Sequence, residues 1–445
     1  MSTIAAIATS HGIGSIAVVR LSGANALHAA KKLTCKENFI PRHASLSLVY
    51  GHDGKLIDEC IVIYFQAPHS FSGEDIVEFQ CHGGVVVAQL ILQEVLRHGV
   101  VLAQAGEFSK RAFLNGRIDL SEAEAIAKLI ETKSVDAAKI LSAQMKGAVK
   151  EFVVKVRDSL VEILAFVEVN IDYAEEDLPA DLILQIEQKL QSLRAELLQT
   201  YESSKQRSGL INGFKIAIVG KPNVGKSSLL NALLHYERAI ISDIAGTTRD
   251  TIEEEIRIGT HLIKIIDTAG IREAGDSIEK IGIERSKLAI EESDIVVSLF
   301  DSSREFDHED ASIYAMLQAY KDSKEILYIL NKCDLPSRFE KLHVKEKMLE
   351  LSCKNQSNIL VKELEKLLDK NAQDDTILLT STRQLEAVKK SYENIEQSVE
   401  LLSEGELELF AFHINEAIMS IASISTNFQR DEILDKMFGS FCLGK

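Results

Sequence analysis

The chain has 445 residues, 46% of them apolar, and a formal net charge of −17. That length allows two to four domains, each able to bury a core. The acidic balance argues against a broad basic face for nucleic acid, and with no Trp and only 6% aromatics there is little material for a base-stacking platform. Taken in order, residues 1–117 read as short strands and turns, with strands at 4–8, 15–21, 61–65 and 76–79 and a helix at 85–96. This mixture predicts an α+β domain. Residues 71–84 place acids, Cys81 and His82 beside Gly83 and Gly84. Cys81 and His82 have no further ligands at matching spacing, so a sheet edge with a glycine turn is expected there, not a metal site. Side-chain chemistry alone allows Arg20, Glu78 and Arg117 to meet in a polar pocket.

From Leu120 the texture becomes helical. Ser121-Glu122-Ala123-Glu124 resembles a capping-box start. Helical apolar spacing then runs to about residue 169, with one weak point at Gly147, and an acidic turn containing Pro179 follows. Leu182, Ile186, Leu190, Leu193 and Leu197 mark a further amphipathic helix. Gly209 to Gly213 reads as a short hinge. Beyond it strands alternate with helices to about residue 376, with strands at 214–219, 253–258, 264–266, 295–300 and 326–330, the doubly wound α/β pattern. After Thr380 the chain returns to helix. Leu385, Val388, Tyr392, Ile395, Val399 and Leu402 step by three and four, and a last long helix starts near Glu406. The α/β domain therefore reads as an insertion between two halves of one helical domain; two separate helical modules are the alternative.

The chemistry lies in the inserted domain. Gly220-Lys221-Pro222-Asn223-Val224-Gly225-Lys226-Ser227 follows an apolar strand and precedes a helix. That context makes a phosphate-binding loop of it. Its backbone N–H groups and the helix N-terminus favour phosphate, Lys226 reaches the β/γ-phosphates, and Ser227 holds Mg²⁺. Ile265-Ile266-Asp267-Thr268-Ala269-Gly270 is a strand ending in Asp-x-x-Gly, which places a carboxylate at the Mg²⁺ shell and the Gly270 N–H at the γ-phosphate. In Asn331-Lys332-Cys333-Asp334 the Asp carboxylate can accept both N–H groups of the guanine edge, so GTP is selected over ATP. Ser352-Cys353-Lys354 supplies the loop behind the base. Gly246-Thr247-Thr248-Arg249-Asp250 offers a threonine hydroxyl that completes the Mg²⁺ shell in the triphosphate state and releases it after hydrolysis. Together these ordered motifs predict a GTPase.

Ile271 stands where Ras-like GTPases carry the water-orienting Gln. An arginine finger contributes a factor of about 10³–10⁵, or roughly 4–7 kcal/mol, so a substantial substitute is needed. Asn223 can ligate a monovalent cation beside the phosphates, and Glu279 can orient water through a second water. Glu273 and Asp276 are alternatives to Glu279 on chemistry alone. Hydrolysis is thus expected to need K⁺.

The six cysteines, Cys35, Cys60, Cys81, Cys333, Cys353 and Cys442, form no C-x-x-C pair, which suggests a reducing compartment. No apolar run reaches about 18 residues, and Met1-Ser2-Thr3-Ile4 has no charged leader. A cytoplasmic protein without a membrane span is expected.

Four stretches together resemble the MnmE (TrmE) family of tRNA modification GTPases. They are residues 71–84, residues 105–120 (Ala105-Gly106-Glu107-Phe108 through Gly116-Arg117-Ile118-Asp119-Leu120), the Gly246–Asp250 motif and residues 267–279. The terminal Phe441-Cys442-Leu443-Gly444-Lys445 resembles the family's C-terminal signature. The resemblance implies an α+β N-terminal folate-binding and dimerising domain over 1–117 and an all-α helical domain in two halves, 118–210 and 380–445. It also implies an inserted α/β P-loop G domain over 211–379. It further implies a homodimer, K⁺-dependent hydrolysis coupled to G-domain pairing, and a flavin-dependent partner, MnmG (GidA). Together the partners add an aminomethyl-type (carboxymethylaminomethyl) group to C5 of the wobble uridine of certain tRNAs.

Carried over to this sequence, the GTP site runs over Asn223, Val224, Gly225, Lys226, Ser227 and Ser228, then Ser242, Asp243, Ile244, Ala245, Gly246, Thr247 and Thr248. It continues over Asp267, Thr268, Ala269 and Gly270, and ends with Asn331, Lys332, Asp334, Ser352, Cys353 and Lys354. Ser227 and Thr248 hold Mg²⁺; Asn223, Ser242, Ile244 and Thr247 hold K⁺. Arg20, Glu78, Arg117 and Lys445 hold 5-formyltetrahydrofolate or a related tetrahydrofolate. Glu279, Lys226 and Thr247 are expected to act in hydrolysis, and Cys442 as a reactive thiol. The sequence departs from the family where Arg117 replaces Lys, a planar fork in place of a point donor, where Ser10-His11 replaces Pro-Pro, and where Ser242 replaces Thr. The competing reading is a K⁺-dependent ribosome-assembly or RNA-binding switch GTPase. Such a protein usually carries a basic RNA-binding domain, and both flanks of this G domain are acidic. A membrane-associated scaffold has no basic amphipathic helix or lipidation motif to support it.

Overall fold

Runs of branched apolar residues with period-2 burial build the first sheet. The structure, a computed structural model, describes residues 1–10, 12–172, 180–238, 254–266, 279–353, 357–370, 377–426, 434, 437–439, 441 and 444. The first sheet holds β1 (Ile4–Ile7), β2 (Ile16–Ser22), β3 (Ser45–Tyr50), β4 (Leu56–Phe65), β5 (Ile76–His82) and β6 (Val101–Leu102), in the order β3-β4-β5-β2-β1-β6. Only the β1–β6 pair is parallel. Helices α1 (Ala26–Thr34) and α2 (Val85–Leu96) cover one face. Ala26, Ala29, Ala30 and Leu33 of α1 and Ala88, Ile91 and Val95 of α2 pack on Val19, Leu21, Val62, Val77 and Phe79. The small residues along α1 let the helix sit close to the strands. β3, β6 and α1 were not expected from the sequence, and β4 starts five residues before the expected strand.

Helix α3 (Glu107–Leu114) leads to three helices where one long stretch was expected: α4 (Leu120–Glu131), α5 (Val135–Met145) and α6 (Ala148–Asp172). One break falls at Gly147, which takes φ +97°. The other falls at 132–134. The expected cap is also displaced. Asp119 caps α4, its carboxylate accepting from the Glu122 N–H at 2.8 Å and from the Ser121 hydroxyl at 2.7 Å, while Glu122 accepts from the Asp119 N–H at 2.7 Å. That is a reciprocal capping box with Asp at the cap. Helices α7 (Ala180–Gln206) and α8 (Ser208–Asn212) follow, so the expected Gly209–Gly213 hinge is mostly a helical turn.

After the inserted domain come α13 (Thr382–Glu404) and α14 (Leu407–Ala422). Phe410, Ile414, Ala417 and Ile421 line the buried face of α14, and Val149, Val153, Val156, Leu160 and Ile163 that of α6. These two helices pack together, so the helical halves before and after the insertion share one core. Phe438 is buried against Ala123, Leu434, Phe113 and Phe441. Gly444 lies so close to β1 that an added Cβ would stand 2.6 Å from the Ile7 carbonyl oxygen.

The inserted domain is a second six-stranded sheet, with β7 (Phe214–Gly220), β8 (Glu254–Ile258), β9 (His261–Ile266), β10 (Ile295–Asp301), β11 (Glu325–Asn331) and β12 (Met348–Glu350) in the order β12-β11-β10-β7-β9-β8. All pairs are parallel except β8–β9. Every residue of β10 is buried, as a parallel strand covered on both faces requires. Among the described residues its helices are α9 (Lys226–Arg238), α10 (Glu279–Glu292), α11 (His308–Gln318) and α12 (Ser357–Lys370). The chain divides into two compact units, Met1–Ile130 with Ser142–Leu193 and Glu386–Lys445, and Glu131–Leu141 with Arg194–Leu385. The start of α5 thus belongs with the inserted domain. Ser134 caps it, accepting from the Ala137 N–H and donating to the Thr260 carbonyl, both at 3.2 Å. Among the described residues no helix is long and apolar enough to cross a membrane.

Candidate functional site

The doubly wound sheet places its binding residues at the carboxyl ends of β7, β10 and β11, where ligands bind in such folds. The glycine loop leaves β7 at Gly220 (φ +153°) and turns through Asn223 (φ +61°) and Gly225 (φ +111°). A side chain at Gly225 would put its Cβ 2.2 Å from Asn331 Nδ2, so close approach demands glycine there. Lys226, Ser227 and Ser228 form the first turn of α9. Their backbone N–H groups and the helix dipole favour an anion. Lys226 Nζ donates to the carbonyls of Gly220 at 2.6 Å and Lys221 at 2.9 Å. Burial lowers its pKa from the ordinary lysine value.

Three sequence motifs converge here. Asn331 Nδ2 donates to the Val224 carbonyl at 2.8 Å, and Asn331 Oδ1 accepts from the Cys353 N–H at 2.9 Å. Lys332 Nζ donates to the Asn223 carbonyl at 2.8 Å. The phosphate loop, the Asn-Lys-Cys-Asp motif and the Ser-Cys-Lys loop are thereby one unit. Asp334 is exposed at the end of this arrangement, open to a base edge. Ser352 is buried. Cys353 is buried too, its thiol pushed up to about 12 by burial, which suits packing and not reactivity.

Sequence reasoning missed a clamp behind the loop. Lys221 Nζ donates to Asp307 Oδ2 at 2.7 Å and to Asp310 Oδ2 at 2.6 Å. Asp307 and Asp310 also form the capping box of α11. Burial would lower the Lys221 pKa, but the two carboxylates raise it; burial raises that of Asp310, and the bond from Lys221 lowers that of Asp307. The signal available in the sequence was a Lys inside the loop and an Asp-x-x-Asp at a helix start; their pairing spans more than eighty residues.

Ser242, Asp243, Ile244, Ala245, Gly246, Thr247, Thr248, Asp267, Thr268, Ala269, Gly270, Lys354, Cys442 and Lys445 lie outside the described residues, and Glu279 is described only as the first residue of α10.

In the first unit, Arg20 and Glu78 stand directly opposite on β2 and β5, with Arg20 Nε donating to Glu78 Oε1 at 2.8 Å. The guanidinium lies 5.8 Å from the Phe71 ring centre and 5.7 Å from that of Phe108. A guanidinium paired with a carboxylate, beside the half-buried Phe71 ring and above the fully buried Phe108, suits a flat heterocycle with polar edges. Arg117 Nε donates instead to the Ser70 carbonyl at 3.0 Å. No group of three or more His, Cys, Asp or Glu side chains able to hold a metal occurs among the described residues.

Comparison with known proteins adds to this geometry. A family described as "MnmE helical domain" matches residues 120–442, and one described as "GTP-binding protein TrmE N-terminus" matches residues 3–117. The chain is 60% identical over 443 residues to the tRNA modification GTPase MnmE of Sulfurimonas denitrificans, covering 100% of this chain and 99% of that one. It is 56% identical over 443 residues to that of Aliarcobacter butzleri, again covering 100% and 99%. A solved structure of Era in complex with MgGDPNP and nucleotides 1506-1542 of 16S ribosomal RNA is similar over 41% of this chain and 66% of that one, at 27% identity and a TM-score of 0.26.

Proposed function

Given that the chain belongs to the MnmE (TrmE) family of tRNA modification GTPases, we propose that its GTP hydrolysis drives addition of a carboxymethylaminomethyl group to C5 of the wobble uridine of tRNA, in a cytoplasmic complex with flavin-dependent MnmG (GidA). The domains proposed are 1–117 (folate and dimerisation), 118–210 with 380–445 (helical) and 211–379 (G domain). The observation that carries the GTPase reading is the set of bonds joining Val224, Asn331, Asn223, Lys332 and Cys353. The loop amides and Lys226 bind the phosphates of the substrate GTP, and the Asp334 carboxylate accepts from the guanine edge.

The donor set suits the ions proposed. Ser227 presents an exposed hydroxyl at the first turn of α9, a hard oxygen ligand suited to Mg²⁺, with Thr248 as its second protein ligand. Asn223, exposed and left-handed, offers an amide oxygen at the open edge of the loop, with Ser242, Ile244 and Thr247 completing the set. Held there, Mg²⁺ would neutralise the β/γ charge, and K⁺ would supply beside the phosphates the positive charge that an arginine finger supplies elsewhere. Glu279, opening α10, orients the attacking water in place of the missing Gln.

In the first unit Arg20, against Phe71 and Phe108, and its partner Glu78 fit the pterin of a tetrahydrofolate, which would supply a one-carbon unit. Arg117, turned to the Ser70 carbonyl in the structure, and Lys445 are the further ligands proposed, and Cys442 stands three residues before Lys445 in the chain. The closeness of Gly444 to Ile7 supports the role of Lys445, because Ile7 neighbours the strand position that faces Arg20. A homodimer is supported by Leu46 and Leu48 of β3 and Ile61 of β4, exposed on the sheet face away from α1 and α2.

Rates of GTP hydrolysis in KCl and NaCl at matched ionic strength test the catalytic part. At least a tenfold preference for KCl is expected, and equal rates remove the cation reading. Equilibrium binding of 5-formyltetrahydrofolate to the intact chain and to a chain lacking Lys445 tests the other part; binding weakened by the truncation is expected.

A further inference from the structure

Asp301 ends β10, opposite Asn331 in the parallel register with β11. Its carboxylate is 4% exposed. Oδ1 accepts from the Ser303 N–H at 2.9 Å and the Ser303 hydroxyl at 2.7 Å, and Oδ2 accepts from Lys332 Nζ at 2.6 Å. The same ammonium donates to the Asn223 carbonyl at 2.8 Å. Next in the chain, the Ser302 N–H donates to the Asn331 carbonyl at 2.8 Å. Lys332 and Asn223 both hold left-handed backbones, φ +64° and +61°. That conformation costs energy in any residue but glycine and persists where the surroundings impose it. Here the imposing group is traceable: the Lys332 ammonium bridges the Asp301 carboxylate and the carbonyl of Asn223 itself.

We propose that Asp301 is a positioning residue for GTP hydrolysis. Through Lys332 it fixes the backbone of Asn223, and so sets both the phosphate loop and the residue proposed above as a cation ligand. The cation part rests on the reading of Asn223 given above. The phosphate-loop part rests on the bonds alone.

The test uses the full chain with Asp301→Asn, Lys332→Gln and the double variant, and reads GDP affinity by equilibrium binding in sodium buffer. Each single change is expected to weaken GDP about tenfold, the scale of one charge-assisted hydrogen bond. The double variant is expected to bind about as weakly as Lys332→Gln alone, because one path is lost twice. Losses that multiply in the double variant would overturn the proposal. In the same proteins, Asp301→Asn should raise the K⁺ concentration for half-maximal hydrolysis several-fold. An unchanged value in an otherwise K⁺-dependent enzyme counts against the proposal. Wild-type rates equal in K⁺ and Na⁺ sink the cation reading only, and the GDP cycle still judges Asp301. If Asp301→Asn does not fold, Ser303→Ala loosens the same carboxylate while keeping its charge. A two- to threefold weaker GDP affinity is then expected, and an unchanged one overturns the idea.

Discussion

Lys221 sits between two carboxylates. Its ammonium is almost fully buried between Asp307 and Asp310, and Asp310 Oδ1 is buried without a partner. Removing the cation leaves Asp310 buried and uncompensated, so Lys221→Met should lower the unfolding free energy by about 3 kcal/mol, read from urea unfolding. Asp310 can take up a proton, which limits the loss, and Lys221→Arg should recover most of it. Asp301 gives the pH dependence. Burial raises its pKa, but the bonds from Lys332 and Ser303 outweigh that and hold it below the ordinary carboxylate value. A folded value below the unfolded one, about 3.9, means that its stabilisation is complete at neutral pH and is lost as pH falls through the folded value. Wild type should therefore exceed Asp301→Asn in stability at pH 7, and the two should converge as pH drops below about 4, in urea midpoints measured across that range. The sequence held the motif residues Asn223, Val224, Lys226, Asn331 and Lys332 in plain view, because each sits in a short fixed spacing. It concealed Lys221, Asp301, Asp307 and Asp310, whose roles exist only once β7, β10 and α11 meet.

At the scale of elements, continuous apolar runs identified β7, β10 and β11 because buried parallel strands need no polar alternation. Val85–Leu96 was equally plain as a helix. The start of α4 was misplaced by two residues. Asp119 supplies the reciprocal cap, and Ser121 only donates to it. Asp119→Ala should thus cost about 1 kcal/mol and lower the melting temperature more than Ser121→Ala does. The break at 132–134 escaped notice because Thr132-Lys133-Ser134 contains neither Gly nor Pro. Its cause is remote: the Val135 N–H donates to the Thr260 carbonyl at 3.2 Å, and Thr260 Oγ1 donates to Asp136 Oδ2 at 2.5 Å. Nearby His261 is fully buried, with Nε2 2.8 Å from Asp369 Oδ1. The β8–β9 turn therefore fixes where α5 begins, and local propensity had no means to show it.

Across the whole molecule, the proposed dimer can be tested against the chain's own charge. Each chain carries −17, so two copies repel, and an interface that holds them must do so by other means. The first sheet offers such means at its β3–β4 end, on the face away from α1 and α2. Leu46 and Ile61 stand opposite one another there, with Leu48 beside them, and burying apolar surface is indifferent to salt at these concentrations while the repulsion is screened beyond about 8–10 Å. Association should therefore tighten as NaCl rises from about 0.05 to 0.3 M; an interface built on ion pairs would loosen over the same range. Replacing Leu46 and Ile61 together by Glu should leave a monomer by light scattering at micromolar concentration. Because Ile63 pairs with Glu78 two residues along β4 from Ile61, and Glu78 pairs with Arg20, the same face also carries the proposed folate pair, there packed against Phe71 and against Phe108 of α3. The same double substitution should then weaken 5-formyltetrahydrofolate binding while GDP affinity stays unchanged, since the nucleotide site is built wholly from the second unit. A monomeric variant that binds the folate as wild type does would separate the two roles of this sheet.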